Sequence, residues 1–218
     1  MKKLLALVLA LAMVFCFVAC DKDDDKTKDD KSASSSQSEN SGSTSTEKLP
    51  AQSGSGEFVA GTVSGNTYEN EYLGLGIKLE GDWTFASSSD LASMSTDDAV
   101  YDLFAQNTTT GSAVNVTVEK YTKEFMATLD LDEVYNNIIG AAEAALESQG
   151  GTNFEPEIGE VTIGGKDFDA IAYSVTISGV EVYVAQVITT TDTCLAAIAI
   201  SGSDPEYVTE LVDCLFVA

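Results

Sequence analysis

"CLAAIAI", Cys194–Ile200, is apolar at every position. Side chains of a strand alternate between the two faces of its sheet, so a strand with no polar position has no face to give to water. This run predicts a sheet covered on both sides. Upstream lie three more strand candidates, Glu160–Ile163, Phe168–Ile177 and Val180–Thr189, separated by the turns "GGK", "SG" and "TTTDT". Downstream, "DPEYVTELVDCLF" (204–216) reads as a closing helix, with Asp204 as N-cap and Pro205 at the first helical position.

The strongest helix pattern is "LDLDEVYNNIIGAAEAALESQGG", 129–151. Leu131, Val134, Tyr135, Ile138, Ile139, Ala142, Ala145 and Leu146 recur at spacings of three and four, which makes one apolar stripe. Asp130 with Glu133 marks the start, and Gly150-Gly151 the stop. Such a helix is expected to lie across the sheet. Before it, "AVYDLFAQN" and "SAVNVTVEKY" form a hairpin through "TTTG". In its second strand Val114, Val116 and Val118 face one way and Asn115, Thr117 and Glu119 the other, the pattern of a strand half-buried and half in water. Further upstream, Tyr68, Tyr72, Leu75, Ile77 and Leu79 indicate two short strands, and Gly81-Asp82 turns the chain into the single Trp83. Ser87 caps a short helix ending at Met94. Hairpin-connected strands with few helices define an α+β class, an antiparallel β-sheet flanked by helices.

The stretch "YENEYLGLGIKLEGDW", Tyr68–Trp83, resembles the opening of small clostridial-type bacterial lipoproteins with a PsbP-like domain. The resemblance covers residues 66–218 and implies an α/β/α sandwich. Its residues are packing residues, so it implies no activity, and the photosystem role of plant members of the fold does not transfer.

Residues 1–19 carry an address. Lys2 and Lys3 precede the uncharged run Leu4–Val18, whose 15 residues fall short of the roughly 20 that a spanning helix needs but suit a secretory signal. "FVAC", 17–20, resembles a bacterial lipobox, with Phe17 in place of the usual Leu. On that resemblance the signal is cleaved before Cys20, which becomes a diacylated N-terminus. Each buried methylene contributes about 0.8 kcal/mol, and two chains hold stably where one does not. The rival readings are an uncleaved anchor and an ordinary secreted protein. Residues 20–56 comprise this cysteine and an acidic, serine-rich tract whose only large aliphatic is Leu49. The tract is expected to stay disordered, spanning roughly 30–36 Å as a flexible tether. Asp21, Asp23 and Asp25 do not make a calcium loop, since Lys26 and Ser32 stand where glycine and glutamate are required.

Residues 57–218 form one domain. They hold 27 acids and four lysines, a net charge of −23, in a chain without Arg or His. That field repels nucleic acid and favours cations or basic proteins, although solubility alone accounts for it. The lack of histidine removes Ser-His-Asp, Cys-His and His-ligated metal chemistry. "IGGKDF" is a hairpin turn without P-loop spacing. Carboxylate pairs remain: Asp97, Asp98 and Asp102 cluster in sequence, and Glu69 and Glu71 share one side of a short strand. A surface Ca²⁺ site is a further expectation, since oxygen ligands suffice. Cys194 and Cys214 are the thiols left after lipidation. A strand running roughly 20 Å out and a helix running roughly 15 Å back bring them near each other, as a disulfide or as two packed thiols.

The combined expectation is a lipid-anchored domain on the extracytoplasmic face of the cell membrane. Its role is binding or scaffolding without catalysis, its partners being the membrane and either a protein or a cation. The alternative is an extracytoplasmic hydrolase using an Asp/Glu pair; a transporter's solute receptor fits poorly, because it needs two larger lobes.

Overall fold

The computed structural model describes residues 58–96 and 99–218. Two antiparallel sheets and four helices, α1 (Ser88–Met94), α2 (Lys123–Met126), α3 (Leu131–Ser148) and α4 (Pro205–Asp213), build it, an α+β architecture. The larger sheet has seven strands. In chain order these are β4 (Thr84–Phe85), β5 (Ala99–Asn107), β6 (Ser112–Lys120), β7 (Thr152–Ile163), β8 (Lys166–Ile177), β9 (Val180–Thr190) and β10 (Cys194–Gly202). Their spatial order is β4-β5-β6-β10-β9-β8-β7, which places the all-apolar run in the middle. The smaller sheet, β1-β2-β3-β11, is formed by Thr62–Ser64, Thr67–Asn70, Leu75–Lys78 and Leu215–Phe216.

Every residue of β10 is buried, and its alternation decides the layers. Cys194, Ala196, Ile198 and Ile200 join one core with Val114, Val116 and Val118. That core is closed by Tyr68, Leu75, Ile77 and Leu215 of the small sheet and by Val208 and Leu211 of α4 (Pro205–Asp213). Leu195, Ala197 and Ala199 join the opposite core, closed by Val134, Tyr135, Ile138, Ala142 and Leu146 of α3 (Leu131–Ser148). One cover is therefore a helix, and the other is a small sheet plus a helix.

Local chemistry sets the boundaries. Asp130 accepts hydrogen bonds from the backbone N–H groups of Asp132 and Glu133, and Asp204 from those of Glu206 and Tyr207, each supplying donors that a helix start leaves unpaired. Ser87 and Asp90 form a reciprocal capping box on α1 (Ser88–Met94). Gly164 and Gly165 take positive φ angles of 57° and 81° between β7 and β8, the left-handed conformations a tight hairpin demands.

Three expectations change. The chain does not end as a helix: after Asp213 it extends and pairs Leu215 with Ile77 and Phe216 with Gly76, so the last residues complete the small sheet. A Cβ at Gly76 would collide with the Phe216 ring and the Tyr68 carbonyl, so this pairing requires glycine there. Strand β7 starts at Thr152, eight residues before the expected Glu160, as a mostly exposed edge. Most consequentially, β6 is not half in water. Asn115, Thr117 and Glu119 are each 1% exposed.

Candidate functional site

The carboxylates singled out by sequence separate into different roles. Asp97 and Asp98 lie outside the described residues. Asp102 is buried at a β-bulge, where the pairing of β5 with β6 shifts between Tyr101 and Leu103. Its carboxylate accepts hydrogen bonds from the Gly61 N–H (2.9 and 3.2 Å), the Tyr68 hydroxyl (2.5 Å) and the Asn70 amide (2.7 Å). The Asn70 amide oxygen in turn accepts from the Leu73 N–H at 2.9 Å. Asp102 thus ties the small sheet to the large one. Burial, and next the Asp102 charge, push the Tyr68 hydroxyl pKa far above its ordinary value, so Tyr68 serves this latch only as a donor. Glu69 is exposed on β2, whereas Glu71 lies in the turn after it, so the two do not share a strand face.

Cys20 and the segments 1–19 and 20–56 lie outside the described residues. Cys194 and Cys214 are free thiols; Cys194 is buried, Cys214 is half-buried, and both pack on the core shared with the small sheet. Among the described residues no group of three or more His, Cys, Asp or Glu is placed to hold a metal ion, and no helix is long and apolar enough to cross a membrane.

The unusual chemistry lies on the α3 side of the large sheet. Ala199 of β10 stands opposite Asn115 on β6 and Gln186 on β9. The adjacent cross-strand row sets Ala197 between Thr117 and Ile188. Two alanines of the middle strand are thus flanked by longer side chains on strands two spacings apart, roughly 9–10 Å, and the whole row is closed to water, with Ala197 0% and Ala199 3% exposed. On the β5 side, Phe104 lies opposite Asn115 and Tyr101 opposite Thr117. The bulge at Asp102 puts these two aromatic residues, three apart in sequence, on one face. Tyr173 shares the same face on β8, two residues beyond Ile171, which pairs with Gln186.

Both polar atoms of the Asn115 amide and both of the Gln186 amide are buried without a hydrogen-bond partner, as are the hydroxyls of Tyr101 and Tyr173. Gln186 is 0% exposed. Each unmade bond of this kind costs about 1–3 kcal/mol, so nothing in packing alone favours these side chains over apolar ones of the same shape. Burial pushes the Tyr101 pKa up to about 12 and that of Tyr173 further, so both stay neutral hydroxyls at physiological pH. Farther along the face Glu119 accepts a hydrogen bond from the Tyr121 hydroxyl.

α3 closes this face, Val134, Tyr135, Ile138, Ala142 and Leu146 sharing one core with Ala197 and Ala199. α1 packs chiefly on β5; it has seven residues and buries none of its side chains, so it is held less firmly than α3. A concavity of about 420 Å³, bordered by Leu129, Leu131 and Thr190, opens on this face of β9, two register steps beyond Gln186. The four amide atoms of Asn115 and Gln186 are neutral donors and acceptors that the described residues leave unused.

No protein-family model matches the chain, and no curated protein matches it. Among solved structures, a protein from Bacteroides thetaiotaomicron VPI-5482 is similar over 72% of this chain and 49% of its own, with 11% identity and a TM-score of 0.42. This chain thus spans about half the length of that protein. LpqN, described as involved in cell envelope biogenesis of Mycobacterium tuberculosis, is similar over 66% of this chain and 83% of its own, with 13% identity and a TM-score of 0.41.

Proposed function

We propose that the chain is a lipoprotein acylated on Cys20, and that its PsbP-like domain stands at the outer face of the cytoplasmic membrane and binds a small polar ligand without transforming it. The observation that carries the binding role is the pair of buried, unpartnered amides, Asn115 and Gln186, facing each other across Ala199. A folded chain keeps such groups at a cost to stability where a ligand supplies the missing partners. What supports a non-catalytic role is the engagement of Asp102, the described member of the acidic cluster, by Gly61, Tyr68 and Asn70.

Native mass spectrometry of the chain extracted from its host membrane tests the binding role. A non-covalent adduct is expected that disappears in Gln186→Met. Absence of an adduct, combined with a lower melting temperature for Gln186→Met, would reject the amide pair as a binding site and leave the Gln186 amide a structural part. Anchoring is tested separately by palmitate labelling, which must vanish in Cys20→Ala.

A further inference from the structure

Strand β7 lies at one end of the large sheet, and among the described residues no strand or loop bonds to its outer side. The hairpin shows which groups that edge offers. The two-residue turn Gly164-Gly165 closes on the pair Ile163 and Lys166, so Ile163, Val161, Gly159 and Glu157 exchange their backbone bonds with β8. Ile158, Glu160 and Thr162 therefore point their N–H and C=O groups away from the sheet. Pro156 falls in the same outward set, where its missing N–H costs no bond to β8.

We infer that this edge is an interaction surface, separate from the buried amides, that takes an extended, lysine-bearing segment of a partner protein as an eighth strand. Charge selects the occupant. β7 and β8 carry Glu155, Glu157, Glu160, Asp167 and Asp169 against one base, Lys166 at the turn. A second copy of this chain would set three glutamates against three and one net charge of −24 against another, which disfavours edge-to-edge pairing. Glu155 and Glu157 border a groove of about 560 Å³ that opens between β7, β8, β9 and α4. A lysine opposite Glu157 reaches the mouth of this groove. On the other face Ile158 is 46% exposed and pairs with the buried Ile171, so an apolar residue opposite Ile158 extends the α3 core outward. Protection from aggregation accounts for one end of the strand, where the register shifts between Thr152 and Glu155 and Pro156 follows. From Glu157 to Ile163 the pairing is regular, no lysine guards the strand, and even a Cβ added at Gly159 would meet nothing within 4 Å.

The test is titration of the full-length chain in detergent with short synthetic peptides at physiological ionic strength, read by calorimetry and by amide hydrogen exchange. The probe alternates lysine and valine. Its contrasts are a glutamate–valine counterpart and the same lysine–valine peptide methylated at every backbone nitrogen. The probe is expected to bind saturably and about tenfold or more tighter than either contrast. On saturation the amides of Ile158, Glu160 and Thr162 should slow, whereas those of Gly159 and Val161 are slow throughout. Ile158→Pro removes one outward donor without breaking a bond to β8, and should weaken the probe about tenfold. Equal affinity for the methylated peptide would overturn the proposal, since charge attraction alone would then explain the binding. No binding, or exchange unaltered at the three outward amides, would overturn it as well. A dimer of the free chain in which those amides are already slow would assign the edge to a second copy instead. The exchange pattern and the methylated peptide decide the outcome even where Ile158→Pro fails to fold.

Discussion

The two faces of β6 are built from the same nine residues and meet opposite fates. Val114, Val116 and Val118 enter a core sealed by the small sheet and α4, where each neighbour is apolar. Asn115, Thr117 and Glu119 are equally shielded from water, yet the amide of the first has no partner at all. Burial by itself therefore does not tell a face whose polar groups are satisfied from one whose polar groups are not. The first face gains free energy from every contact it makes. The second forgoes some, because the Asn115 amide gives up its bonds to water without replacing them.

The contrast can be broken most severely on the apolar face. Ile198→Ala empties a fully buried position between Val116 and Val187 and should cost about 2–5 kcal/mol in urea unfolding. A loss much below that range would show that this face is no better packed than the other. Next in size, Asp102→Ala strands the Tyr68 hydroxyl and the Asn70 amide together. It should lower stability by about 3 kcal/mol, and hydrogen exchange should quicken first in Thr67–Asn70 if the carboxylate holds the small sheet in place.

Substitutions on the polar face should run the other way. Gln186→Met is expected to leave stability unchanged or raise it by about 1 kcal/mol, a sign opposite to that of Ile198→Ala one strand away. The smallest effect concerns Tyr101. Its folded-state pKa of about 12 lies above the ordinary value of 10. The folded chain thus holds its proton more firmly than the unfolded chain, and the associated stability is intact below pH 10 and declines as pH rises toward 12. Tyr101→Phe should leave stability at neutral pH nearly unchanged and flatten the decline measured by urea titration between pH 10 and 12. An unaltered slope would place Tyr101 in water.

Much of the local structure was legible in the sequence. The caps at Ser87, Asp130 and Asp204, the stripe of α3 and the span of β5 all follow from patterns a few residues long. The buried polar row of β6 was legible only in part. Asn115, Thr117 and Glu119 were identified as one face and assigned to water, because alternation reports polarity and not burial. A signal was nonetheless present. A central strand whose two faces are both covered implies that its neighbours' faces are covered as well, so the polar row of β6 had to be buried once β10 was placed beside it. Asp102 was noticed as part of an acidic cluster. Its partners Tyr68 and Asn70 lie more than thirty residues away and could not be paired with it from spacing.

The elements, the charge and the need for a doubly covered sheet are readable residue by residue, since they rest on propensities and periodicities within one segment. Which strands are neighbours follows only from the folded chain. That choice set Asn115 and Gln186, 71 positions apart, on either side of Ala199 and returned Leu215 and Phe216 to the opening strands. The physical reason is that strand pairing joins backbone groups that are alike in every residue, so register and order are fixed by how all the apolar faces close together.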